Sequence, residues 1–169
     1  MTVQMALGSQ LMISASARNP GGVQRRTLAA HLRANLSATL LTSQQVIDSM
    51  RHVPGIGRLV PRMVARTMPP GTRRRVIVNG LPVDLLGLPH GGRRHRHVEH
   101  LAYVVELGGR RVLHVGDAEL TEATLAPLRL DTMRIDVALL PAWAVTGDES
   151  RQAIARWIRP SAARDLSKR

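Results

Sequence analysis

A chain of 169 residues with no cysteine and no phenylalanine is long enough to bury one aliphatic core, and it excludes disulfides, thiolate metal sites and cysteine nucleophiles. A net charge of +12 would suit an anionic partner, but every basic residue except Lys168 is arginine and aromatic residues make up 2% of the chain, so stacking on nucleic-acid bases has almost no side chains to use. No apolar run approaches the ~20 residues of a membrane span, and the mildly apolar start has no basic residue before Arg18; neither a span nor a signal peptide is expected, and the chain is placed in the cytoplasm.

Residues 1–25 show weak periodicity and end near the turn signal Asn19-Pro-Gly-Gly22. Thr27 is expected to cap a helix reaching about residue 35, with Leu28, His31 and Leu32 on one face. A short buried strand is expected over 38–42, followed by a helix over 44–51 with Ser43 as its N-cap. Residues 54–57 read as a loop, and 58–75, rich in arginine and proline, as an irregular, mobile connection. Asn79-Gly80 then joins 76–78 to 81–88 as one hairpin, and Gly108-Gly109 joins 100–107 to 110–115 as another. A helix is expected over 119–128, a strand over 135–140 ended by Pro141, a helix over 149–158, and a polar tail from 160. Antiparallel hairpins among helices and buried strands suit mixed sheets covered by helices rather than a simple doubly wound parallel sheet.

Two residues stand where an apolar strand ends. His90 follows the run 83–89 and precedes Gly91-Gly92; Asp117 follows 112–115 and Gly116. Imidazole and carboxylate presented from rigid strand ends suit zinc, manganese or iron. The plainer alternatives are that His90 is a loop histidine and Asp117 a turn cap. His114 reads as an in-strand core residue, His31 as surface or packing, and Asp136 and Asp148 as capping or solvated residues. GIG (55–57) is too short for a phosphate loop.

The segments LAAHLRANLSATLLTSQQVIDSMR (28–51), LGLPHGG (86–92), LAYVVELGGRRVLHVGDAEL (101–120) and IDVALLPAW (135–143), in this order, resemble the metallo-β-lactamase-fold hydrolases. The nearest branch is that of ascorbate-6-phosphate lactonase and related metal-dependent hydrolases. The resemblance covers roughly residues 27–160. It implies an α/β (α+β) chain folded as a partial αββα sandwich, with His90 as a metal ligand and Asp117 as a carboxylate bridging two metals. It implies zinc, or manganese or iron, and metal-activated water hydrolysing an ester, lactone, amide or phosphodiester bond of a small-molecule or phosphodiester substrate.

Two of the family's ligand segments have no counterpart. The H-x-H-x-D-H signature belongs before the helix that starts near Arg26, where the chain reads NPGGVQRR (19–26); a final histidine belongs after Pro160, where it reads SAARD (161–165). His90 and Asp117 are then two ligands where a hydrolytic site needs about three per metal. The chain is read as one domain, shortened or degenerate at both ends (1–26 and 161–169), and not fully active in isolation. His95-Arg-His97-Val-Glu99-His100 mimics the missing signature and is a secondary set of candidate ligands (His95, His97, His100). In an extended strand His95, His97 and Glu99 would share one face and His100 would point the other way. Two alternatives stand beside the hydrolase. One is a non-catalytic binding or structural subunit that self-associates through exposed sheet edges. The other is an arginine-driven nucleic-acid binder using 58–75 and 93–97.

Overall fold

The computed structural model describes residues 4–7, 11–14, 23–159 and 162–165. The first of these form a hairpin of two short strands, β1 (Gln4–Leu7) and β2 (Leu11–Ser14), paired antiparallel. Helix α1 (Val23–Ala34) follows. It starts a turn before Thr27, which lies inside it: Gln24, Arg25 and Arg26 are good helix formers and carry the helix past the expected cap. Strand β3 (Thr39–Thr42) pairs parallel with β2, and the Ser43 Oγ then accepts the Val46 N–H at 3.4 Å to cap α2 (Gln44–Met50).

The connection expected to be irregular over 58–75 is ordered. Two 3-10 turns, Ile56–Arg58 and Val60–Arg62, lead into β4 (Met63–Ala65), which pairs parallel with β3 and completes a sheet of order β1-β2-β3-β4. Arg62 explains the order. Its Nη1 donates to the carbonyls of Asn35 (2.7 Å), Leu36 (2.9 Å) and Ala38 (3.2 Å), and its Nη2 to that of Leu32. The last carbonyls of a helix have no partner within it; one guanidinium collects them and ties the turn to the end of α1.

The second sheet begins with the expected hairpin. β5 (Arg73–Val78) and β6 (Leu81–Gly87) meet at Asn79 and Gly80, whose φ values of +50° and +75° suit a tight turn of the hand that matches strand twist. Gly87 has no room for a side chain: an added Cβ would collide with the Pro69 carbonyl, because the Gly71 N–H donates to the Gly87 carbonyl (3.0 Å) and the Gly87 N–H to that of Thr72 (2.9 Å). β7 (Leu101–Leu107) and β8 (Arg110–His114) form the second expected hairpin across Gly108-Gly109.

The helix expected over 119–128 is cut short. Only α3 (Glu122–Leu125) is α-helical, capped by Thr121, and Pro127 turns the chain into the 3-10 segments Ala126–Leu128 and Leu130–Met133. β9 (Val137–Leu140) runs parallel to β8, and a short helix, α4 (Ala142–Thr146), precedes α5 (Asp148–Trp157). The tail contributes β10 (Ala162–Asp165), parallel to β9, so this sheet has the order β10-β9-β8-β7-β6-β5.

Strand alternation sorts the core into layers. Leu41 of the first sheet packs with Val83, Leu85, Leu101, Tyr103 and Val105 of the second, filling the space between the sheets. Leu40, one residue away, faces α1 and α2 with Leu28, Leu32, Val46 and Met50. On the other side Leu86, Val104, Leu113 and Val115 pack against Leu125, Ala153, Ile154 and Ile158. The result is a mixed α+β architecture of helices, sheet, sheet and helices, as the αββα expectation had it. The fully buried Tyr103 donates its hydroxyl to the Leu41 carbonyl at 3.3 Å and links the two sheets. Among the described residues no helix is long and apolar enough to cross a membrane.

Arg62→Ala strips the carbonyls of Leu32, Asn35, Leu36 and Ala38 of their shared donor and is expected to lower unfolding free energy by about 2 kcal/mol, read from the urea midpoint. Arg62→Lys, with one point charge in place of a planar fork, is expected to recover less than half of the loss.

Candidate functional site

Strand β7 lies between β6 and β8 and runs antiparallel to both, so the exits of β6 and β8 and the start of β7 share one end of the sheet. Here the chain leaving β6 meets the chain leaving β8. The Gly91 N–H donates to the Asp117 carbonyl (2.7 Å), the Glu119 N–H donates to the Pro89 carbonyl (2.8 Å), and His90 and Ala118 form an isolated antiparallel bridge. The two loops thus close over the first residues of β7. An added Cβ on Gly91 would sit 2.9 Å from the Asp117 carbonyl oxygen, so the glycine permits the approach. The two residues singled out in sequence, His90 and Asp117, thus lie on backbones that meet across the middle strand, His90 pairing with Ala118 and Asp117 with Gly91.

His100 immediately precedes β7 and is wedged beneath this junction. It is 4% exposed, and its Nε2 lies 2.7 Å from the Val115 carbonyl. His90 is 1% exposed, with Nδ1 2.7 Å from the Gly91 carbonyl. A carbonyl only accepts, so each of these ring nitrogens carries its proton and the other nitrogen carries a lone pair. Among the described residues, those other nitrogens, His90 Nε2 and His100 Nδ1, are buried without a hydrogen-bond partner. An imidazole whose far N–H is held by a carbonyl is the usual form of a metal-ligating histidine.

The histidine-rich segment departs from the extended reading. Gly92, at φ +86°, turns the chain into a 3-10 segment, Arg93–His95, and β7 starts only at Leu101. His95 therefore does not share a strand face with His97. Its ring approaches His90, with centroids 5.2 Å apart, while His100 meets His90 edge-on at 5.5 Å and 83°. His97 is exposed, and its carbonyl accepts from the Gln45 side chain (3.0 Å); Glu99 exchanges hydrogen bonds with Gln45 as well. Of the secondary candidates, His95 and His100 join His90 and His97 does not. Asp117 is half-buried beside them. Among the described residues no three histidine, aspartate or glutamate side chains are already arranged as a metal cage.

Burial controls the protonation of the innermost rings. Desolvation pushes His100 down to about 4, helped by the nearby His90 and His114 and opposed by the Val115 carbonyl and the Asp117 charge. His114 is fully buried in β8, and desolvation likewise pushes it down to about 4. Neither of its ring nitrogens has a hydrogen-bond partner among the described residues. Both rings are neutral at pH 7. The sequence reading of His114 as an in-strand residue agrees with its place at the end of β8, and His100, a secondary candidate there, lies directly before β7 and is buried.

No protein-family model and no curated protein matches the chain. Among solved structures, the chain is similar to a CmlA beta-hydroxylase E377D mutant, with 15% identity and a TM-score of 0.41, covering 76% of this chain and 28% of that one.

The unfolded chain takes up protons on His114 near its ordinary 6.5, and the folded chain only near 4. Stability is therefore lost as pH falls from about 6.5 towards about 4, and is unaffected by this group above that window. His114→Leu removes both the unpartnered nitrogens and the titration. It is expected to raise stability by about 1–2 kcal/mol at pH 8 and by about 2 kcal/mol more at pH 5, measured by chemical denaturation at the two pH values.

Proposed function

We propose that this chain is a metallo-β-lactamase-type protein of the hydrolase class in which His90 and Asp117 hold a divalent metal of the zinc, manganese or iron group. The observation that carries this reading is the junction at the sheet end. Backbone bonds pair His90 with Ala118 and Gly91 with Asp117, and among the described residues the His90 Nε2 lone pair is buried there without a hydrogen-bond partner. The donor chemistry fits such an ion at these two positions; a third ligand is not in place among the described residues. When bound, the metal would supply an activated water and polarise an ester, lactone, amide or phosphodiester bond. The chain's own residues do the positioning. The Gly91 carbonyl fixes the His90 tautomer, the close approach at Gly91 sets the separation of the two loops, and the buried His100 ring fills the space beneath.

The arginine-rich reading has one observation in its favour: Arg73 and Arg74 are exposed on β5, the edge strand of the second sheet. Against it, Arg75 is engaged by Asp84 through two bonds of 2.9 and 2.8 Å, and Arg33, Arg62, Arg66 and Arg111 donate to backbone carbonyls. Much of the positive charge serves the fold, and the metal reading is the better supported.

Metal analysis of protein purified with zinc, manganese or iron present is expected to find one of these ions bound. His90→Ala and Asp117→Ala are each expected to weaken its affinity at least tenfold while a thermal melt shows the fold retained. Metal no higher than in a buffer control overturns the proposal. A panel of ester, lactone and phosphodiester substrates then tests the hydrolase assignment, with activity expected only in the metal-loaded parent.

A further inference from the structure

Strand β5 is an edge of the second sheet, and no described strand lies beyond it. Its free side follows from the hairpin register. The Gly87 N–H donates to the Thr72 carbonyl at 2.9 Å, just before β5 begins. Bonded and unbonded pairs alternate along an antiparallel ladder. Arg74, Val76 and Val78 therefore point their backbone groups at β6, and Arg73, Arg75 and Ile77 point theirs away from the sheet. Pro82 agrees with this phase: it has no N–H to give, and it stands in the unbonded pair opposite Ile77. The side chains along the edge select what can pair with it. Arg73 and Arg74 are exposed on opposite faces of the strand. Their cross-strand neighbours are Leu86 and Leu85, so neither has an acid opposite it. Arg75 differs, being held by Asp84. Ile77, 74% exposed, adds an apolar side chain in the open.

We propose that β5 is a docking edge for an extended acidic peptide, which adds to the second sheet as a further strand. Two adjacent carboxylates of the peptide face Arg73 and Arg74, and an apolar residue faces Ile77. Strand addition supplies backbone hydrogen bonds for affinity and side-chain pairs for selection. A peptide backbone meets both the outward N–H and the outward C=O groups of Arg73, Arg75 and Ile77. Phosphate groups only accept, so a nucleic-acid backbone would leave those carbonyls unmet. A second copy of this chain would add its own uncompensated arginines to the same edge, where like charges repel. The chemistry of the edge thus favours an acidic peptide over either.

The test is an NMR titration of the isotope-labelled full chain with the peptide Thr-Val-Thr-Thr-Glu-Glu-Thr and with its reverse, which cover the two strand directions. One of them is expected to bind and to slow amide exchange at Arg73, Arg75 and Ile77, leaving Arg74 and Val76, already bonded to β6, unchanged. Arg73→Glu combined with Arg74→Glu is expected to weaken binding by about tenfold or more. That variant is expected to bind the same peptide with lysines in place of its glutamates, which the parent does not. Ile77→Pro removes one outward N–H at an edge position that tolerates proline and is expected to weaken binding by about tenfold; Ile77→Thr, which keeps the N–H, by about threefold or less. If the proline variant unfolds, the charge exchange and the amide pattern decide. Binding of neither peptide in the millimolar range, or protection without the alternation, overturns the proposal. So does a single-stranded oligothymidylate that displaces the peptide, or a dimer of the parent that protects the same three amides.

Discussion

The backbone junction between the exits of β6 and β8 is the constraint on which the rest of this end of the molecule depends. These strands are not neighbours; β7 separates them. Their loops can meet only by arching over the start of β7, and the Gly91–Asp117 and Glu119–Pro89 hydrogen bonds hold that arch closed. Closing it traps His100 underneath, where the ring finds a single partner in the Val115 carbonyl. It also brings together the backbones that carry His90 and Asp117, with His90 buried. A site built on backbone bonds between rigid strand ends is held more tightly than one carried by a free loop. The glycine at 91 matters because a side chain there would push the two loops apart.

Beneath the junction the protein buries polar rings in an otherwise aliphatic core. His90, His100 and His114 are all nearly inaccessible, and among the described residues four of their six ring nitrogens have no hydrogen-bond partner. Unpartnered buried polar atoms are expensive, about 1–3 kcal/mol each. Desolvation keeps His100 and His114 neutral, the form in which imidazole binds a metal ion.

The strong basic charge plays a different part from the one composition suggests. Arg62 gathers the carbonyls at the end of α1, Arg33 reaches the Pro54 carbonyl and Arg111 that of Met133. Guanidinium groups with several donors in a fixed plane suit this work, and lysine does not. Arg73, Arg74 and Arg75 line the edge strand β5, where like charges oppose pairing with another sheet edge.

What the sequence by itself determined is the part governed by local chemistry. Asn79-Gly80 and Gly108-Gly109 adopt positive φ without help from the rest of the chain, so both hairpins were legible, as was the Ser43 cap of α2. The apolar runs over 38–42 and 135–140 were likewise read as strands, and they contain β3 and β9. Only the tertiary structure decided the rest. β4, β9 and β10 are three or four residues long and pair in parallel with strands distant in sequence, so no turn signal marks those pairings. Residues 58–75 looked irregular because the order there comes from Arg62 reaching back to α1. At the site, two strand-end residues were visible as His90 and Asp117, but their meeting depends on β7 lying between their strands. That His95 turns towards His90 while His97 turns away depends on the bend at Gly92, which an extended reading of the same residues reverses. Spacing along a chain fixes which side chains share a face only while the backbone stays regular; where it turns, packing decides.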